Sequence, residues 1–143
     1  MTISARGRYA LRLMIDLAQH AEAGWVSLKE ISARQDISAK YLEQIVTPLT
    51  KAGFLKALRG AQGGYRLAKP PREITAWDIL DTVGGPLAPV KCLQDPGVVC
   101  ARASQCQTVD FWRGLDKVMR DYLTGATLQD FVDKTRAVSD YSI

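Results

Sequence analysis

The sequence predicts a mainly α-helical protein carrying one small β-hairpin. Three observations lead there: a short helix, a three-residue turn and a longer helix between Ser27 and Leu49; a glycine-rich hairpin directly after them; and a separate broad apolar stripe at helical spacing that begins near Thr108. Its 143 residues, 47% of them hydrophobic and 24% charged, are enough for one domain with a real core.

Ser4 to Glu22 reads as a first helix, with Tyr9, Leu13, Leu17 and Ala21 on one face and Gly24 at its end. Trp25 and Val26 form a short strand. Ser27 with Glu30 has the spacing of a capping box and opens a second helix to about Arg34. Gln35, Asp36 and Ile37 make the turn, and Ser38 caps a third helix carrying Tyr41, Leu42, Ile45, Val46 and Leu49. Pro48 removes a backbone donor inside that helix, so its straight part is expected to end near Thr47.

Phe54 to Leu58 and Gly64 to Leu67 are strand-like runs joined by Arg59, Gly60, Ala61, Gln62 and Gly63, with Arg59 and Arg66 as flanking basic residues. A helix-turn-helix with such a hairpin attached is a winged helix. Pro70 and Pro71 close the unit, and Thr75 with Asp78 caps a further helix to about Thr82. Gly84, Gly85, Pro86 and Pro89 then forbid regular structure and lead into a loop holding all three cysteines.

From Thr108 to Thr124 the chain is helical again, and Phe111, Trp112, Leu115, Val118, Met119, Tyr122 and Leu123 form a stripe too wide to be spent within one small domain. It wants a partner surface. Thr127 with Asp130 caps a last helix to about Val138, and the residues SDYSI are expected as a loose tail. The chain thus divides into 1–72, the winged helix; 73–107, a connecting helix and cysteine loop; and 108–143, the apolar dimerisation helix and a C-terminal helix.

Charge is distributed along the same division. Residues 1–72 hold 12 Lys/Arg against 5 Asp/Glu, a net of +7, whereas the remainder is net −3. A basic half suits a polyanion, because Lys and Arg that neutralise phosphates release counterions from nucleic acid. No run of about 18 apolar residues exists to cross a membrane, and the N-terminus lacks a secretion signal, so the expected location is the cytoplasm with no membrane partner.

In a winged helix the third helix enters the major groove of double-stranded DNA with its N-terminal side chains towards the base edges. Here these are Ser38, Lys40, Tyr41, Glu43 and Gln44. Glu43 can accept from a cytosine amino group and Gln44 can pair with adenine, while Lys40 and Tyr41 suit phosphates. Arg59, beside Gly60, which lets the backbone come close, suits a narrow minor groove. The plainer reading puts Tyr41 in the core and leaves the others as ordinary solvated surface.

Cys92, Cys100 and Cys106 are separated by seven and five residues. An odd number of clustered thiols in a reducing compartment points to metal or redox chemistry rather than to a disulfide framework. Structural zinc usually takes four ligands in closely spaced pairs, and these spacings are too open for it. Soft thiolates on a glycine- and proline-containing loop suit an iron-sulfur cluster; a thiol redox switch, zinc and inert thiols remain the alternatives. One histidine, no phosphate-cradling loop before a helix and no nucleophile with a base argue against an enzyme and against a small-molecule substrate.

The opening SARGRYALRLM, the stretch ISAKYLEQIVTPLTKAGFLKALRGAQGGYRLAK and the three cysteines ahead of an aromatic helix resemble the Rrf-type winged-helix transcription regulators of bacteria, most of all those of the IscR, iron-sulfur type. The resemblance runs from about Ile3 to Val132. It implies a homodimeric DNA-binding regulator, most often a repressor, on a partly palindromic operator. Tyr41, Glu43 and Gln44 would read the major groove, Arg59 would serve the wing, and the long helix from Thr108 would cross its counterpart.

The resemblance also implies a cluster, 2Fe-2S or else 4Fe-4S, held by Cys92, Cys100, Cys106 and one further ligand. In the IscR pattern that ligand is a histidine three residues after the last cysteine. Val109 stands there, leaving Asp110 next in line, with Asp95 or a partner-subunit group as alternatives. His20 reads as a helix-end residue. A weak fourth ligand would suit a sensor of nitric oxide or redox stress. Other members of the family are cluster-free and answer to a partner protein, but lack this cysteine set.

Overall fold

The structure, a computed structural model, describes residues 2–94, 102 and 104–141, the last five as backbone only. Helix α1 (Ala5–Gln19) starts at Ser4, whose hydroxyl accepts from the Gly7 amide at 3.0 Å. A 3-10 turn at Ala21–Ala23 follows it, so the first helix is shorter than the expected run to Glu22: the His20 amide closes on Asp16 and the chain then tightens. Helix α2 (Leu28–Gln35) is capped by Ser27, which accepts from the Glu30 amide, but only this half of the expected capping box forms, the Glu30 side chain staying in solvent. Asp36 in the left-handed region (φ 54°) ends α2 and turns the chain into α3 (Ala39–Lys51), capped by Ser38 at the Tyr41 amide.

Helix α3 runs through Pro48 to Lys51, so the turn beyond Thr47, the expected end of its straight part, is still helical. Proline cancels only its own amide bond, to the Gln44 carbonyl. The next turn is held by Ala52 donating to Pro48 O and by fully buried Leu49. Strands β1 (Leu55–Leu58) and β2 (Gly64–Leu67) pair antiparallel with Leu55 opposite Leu67 and Leu58 opposite Gly64, matching the sequence expectation closely. Val26 exchanges two hydrogen bonds with Tyr65, at 2.9 and 2.8 Å, so the residues expected as a short strand lie along the hairpin's other edge as a single bridge.

Helix α4 (Ala76–Val83) has the full capping box of Thr75 and Asp78, with both hydrogen bonds near 3 Å. Helix α5 (Val109–Gly125) buries none of its residues, whereas α6 (Leu128–Tyr141), capped reciprocally by Thr127 and Asp130, returns to the main body. Its Leu128 and Val132 join the core made by Leu13, Met14 and Leu17 of α1, Leu42, Ile45 and Leu49 of α3 and Ile79 of α4. A short bridge of Thr75 with Thr127 ties its start there, and the helix continues to Tyr141, so Ser139, Asp140 and Tyr141 are helical rather than part of the expected loose tail; Ser142 and Ile143 lie outside the described residues.

Among the described residues, no helix is long and apolar enough to cross a membrane.

Candidate nucleic-acid interface and cysteine loop

The first turns of α3 present Ser38, Lys40, Glu43 and Gln44 to solvent, while Leu42, Ile45 and Val46 on the opposite face hold the helix in the core. Tyr41 divides the two. Its ring packs against the core and meets Tyr9 of α1 edge to face at 5.5 Å, and Arg12 lies over Tyr9 at 5.5 Å. The ring therefore has a packing role whatever its hydroxyl does. Among the described residues no cation lies within 4 Å of the Glu43 carboxylate, while Arg6 of α1 donates to Gln44 Oε1 at 3.4 Å.

Arg59 and Gly60 stand exposed at the tip of the hairpin, Gly60 at φ 114°, a conformation that side chains resist. The two glycines after them keep the tip narrow. A Cβ on Gly63 would lie 1.9 Å from the Leu58 carbonyl oxygen, and one on Gly64 2.3 Å from that of Val26. At the base of the hairpin Arg66 stacks over Trp25 at 4.4 Å.

Residues that sequence patterns did not single out anchor these elements. Asp16, 1% exposed, accepts from Arg34 Nη2 at 2.7 Å and Nε at 3.0 Å and from Gln35 Nε2 at 3.0 Å. Burial alone pushes its carboxyl up, but the hydrogen bonds from Arg34 and Gln35 and the charges of Arg34 and His20 carry it below its ordinary value of 3.8. Arg12 also bonds Gln35, at both its side chain and its carbonyl. The signal available in the sequence was an acid on the apolar face of α1, between Leu13 and Leu17. His20 closes the same helix, its Nδ1 2.8 Å from the Asp16 carbonyl oxygen, in the helix-end position expected of it.

Cys92 lies on a 3-10 turn, Lys91–Leu93, and Cys106 just before α5; both are exposed, free thiols. Cys100 and Asp95 lie outside the described residues. Cys106 Sγ is 3.4 Å from Thr108 Oγ1, and that hydrogen bond first, then the amides of Thr108 and Val109 and the charge of Arg113, hold the thiol below its usual range. A thiolate-favouring, accessible sulfur is a fitting donor for soft metal centres. Asp110, 94% exposed, sits 3.6 Å from Arg113 Nη1, and Val109 begins α5 with no donor to offer. No group of three or more potential ligands is assembled among the described residues, so the structure brings Cys92, Cys106 and Asp110 to accessible positions without gathering them.

The family described as Rrf2, iron-dependent transcriptional regulator, matches residues 3–134. The transcriptional regulator CymR of Bacillus subtilis is 38% identical over 94% of this chain and 92% of its own length; the regulator IscR of Aliivibrio salmonicida is 37% identical over 98% and 83%. Among solved structures, that of CymR, the global cysteine regulator of B. subtilis, superposes with a TM-score of 0.77 at 38% identity, covering 94% of this chain and 98% of that one. The structure of T. potens IscR does so at 0.75 and 36%, covering 94% and 88%.

Proposed function

The chain belongs to the Rrf2 family of transcriptional regulators, and from that premise we propose that it is a homodimeric repressor whose affinity for a partly palindromic operator follows the state of an iron-sulfur cluster on Cys92, Cys100 and Cys106. The observation that carries the cluster is the pair of exposed, free thiols at Cys92 and Cys106, one following α4 and the other just before the start of α5, with Cys106 held towards its thiolate. Asp110 is the proposed fourth ligand. A bound cluster, 2Fe-2S or 4Fe-4S, would supply redox and ligand-exchange chemistry.

The chain's own residues supply the rest. Phe111, Val118 and Tyr122 of α5 are 67%, 66% and 75% exposed, an apolar face that a second copy of the helix covers. Cys92 and Cys106 bracket the junction of α4 and α5, helices joined by Arg120 stacked over Trp77 at 4.2 Å. Helix α4 in turn meets the start of α1 closely: a Cβ on Gly7 would lie 3.1 Å from the Leu80 side chain, and one on Gly84 3.6 Å from Gly7 Cα. Since α1 packs on α3 through Tyr9 and Tyr41, ligation at the two thiols biases an α4–α5 arrangement that the recognition helices feel.

A second reading rests on the equal similarity to CymR: a cluster-free regulator answering to a partner protein or to oxidation of the same exposed thiols. Purification without oxygen, followed by iron and sulfide analysis and visible spectra, separates the two. Brown protein that loses its absorption in Cys106→Ala, and whose operator affinity changes when the iron is removed, supports the cluster. Colourless protein with no iron, binding the operator equally well, supports the second reading.

A further inference from the structure

The Arg6–Gln44 hydrogen bond lies on the face proposed to read DNA, and it constrains what Gln44 can offer. Arginine has only donors, so the end of the glutamine amide that faces it must be the oxygen. Arg6 Nη2 donates to Gln44 Oε1 across from the first turn of α1 to the second turn of α3, and both side chains are otherwise in solvent. The contact directs the oxygen towards Arg6 and so turns the amide nitrogen away from it, separating the donor from the acceptor along the exposed edge. Arg6 makes this contact rather than an ion pair with Glu43, so the helix offers a carboxylate acceptor at one position and a donor at the next.

We infer that Arg6 is a specificity-determining positioning residue, which turns Gln44 from a reader of adenine into a reader of guanine. A free glutamine pairs with adenine by accepting from N6 and donating to N7. With Oε1 turned towards Arg6 rather than along the base edge, adenine would set its amino group against the Gln44 nitrogen, donor against donor. Guanine presents two acceptors, N7 and O6, to the same nitrogen and to the remaining donors of Arg6. The inference rests on the proposed role of α3 in the major groove.

The test uses the full chain purified without oxygen. A site is selected from a randomised double-stranded DNA library, and affinity is then measured for that site with each base pair changed in turn. Gln44→Ala identifies the pair that Gln44 reads. The wild type should prefer guanine there, and Arg6→Ala should shift the guanine-to-adenine ratio towards adenine by roughly tenfold, within the range of one bidentate contact. Arg6→Lys, which keeps a donor, should restore much of the preference.

Adenine preferred by the wild type at that pair would overturn the inference. So would an Arg6→Ala protein weakened equally on every sequence with a shallower salt dependence, the mark of a phosphate contact. If Gln44→Ala alters no base pair while DNA is still bound, the placement of α3 itself fails, an outcome distinct from failure of Arg6 alone. Circular dichroism of the Arg6→Ala protein checks folding, which this exposed side chain should not disturb.

Discussion

The carboxylate of Asp16 accepts two parallel hydrogen bonds from one guanidinium, that of Arg34, at 2.7 and 3.0 Å, and so fastens the end of α2 to the last turn of α1. Gln35 adds a third at 3.0 Å. The acid is buried while the guanidinium remains partly in water, so the pair is a clamp with one dry end.

Removing the cation should therefore cost more than a surface ion pair would. Arg34→Met is expected to destabilise the fold by about 2–3 kcal/mol, somewhat less than for a fully buried pair because the guanidinium is partly in water and Gln35 remains bonded to the acid. Because the folded carboxyl titrates below its ordinary 3.8, its contribution is complete above that value and is lost as pH falls through the lower folded value. Urea unfolding of wild type and Asp16→Asn at pH 7 and near pH 3 checks this: the gap between the two proteins should narrow in acid. An unchanged gap would contradict the assignment.

In the wing, shape and charge should separate cleanly. Gly64→Ala forces a Cβ against the Val26 carbonyl and is expected to cost about 2 kcal/mol or more, lowering both the thermal midpoint and DNA affinity. Arg59→Ala, at an exposed tip, should leave the midpoint alone and weaken DNA binding about tenfold. Thermal unfolding beside salt-titrated binding distinguishes them, and a stability loss in Arg59→Ala would show that the arginine serves the fold.

Helix α5 carries the association prediction. Val118→Asp or Tyr122→Asp places a charge on an unburied apolar face, so folding of the monomer should persist while the dimer dissociates. Analytical ultracentrifugation should report a mass near 15.8 kDa, and affinity for the two-half-site operator should fall roughly 100-fold as avidity is lost. A dimer undisturbed by both substitutions would remove α5 from the interface.

Asp110 provides the sharpest check on the cysteine loop. If it is the fourth ligand, Asp110→Ala should shorten the survival of the visible chromophore in air severalfold, while Asp110→Glu, which keeps the carboxylate, should retain most of it. Equal lifetimes in all three proteins would point to Asp95 or to a group from the partner subunit.

Much of the architecture was legible because it rests on local chemistry. Ser38, Thr75 and Thr127 each accept from an amide three residues on, and the glycines from Gly60 to Gly64 admit a turn that side chains would block. Apolar spacing at 3.6 residues likewise marked the buried faces of α1 and α3. Where local rules competed with packing, packing prevailed: α3 continues through Pro48 because buried Leu49 holds the next turn.

The sequence by itself determined the helix-turn-helix, the wing, the exposed α3 residues and the grouping of three cysteines, since caps, turns and periodicity act over a few neighbouring residues. Only the tertiary structure decided that Asp16 meets Arg34, that Tyr41 packs on Tyr9, that α6 returns to α1, and that Arg6 holds the amide oxygen of Gln44. Those partners lie from 18 to more than 100 residues apart. No local periodicity encodes such pairings, because they arise from how the helices cross once their apolar faces are buried together.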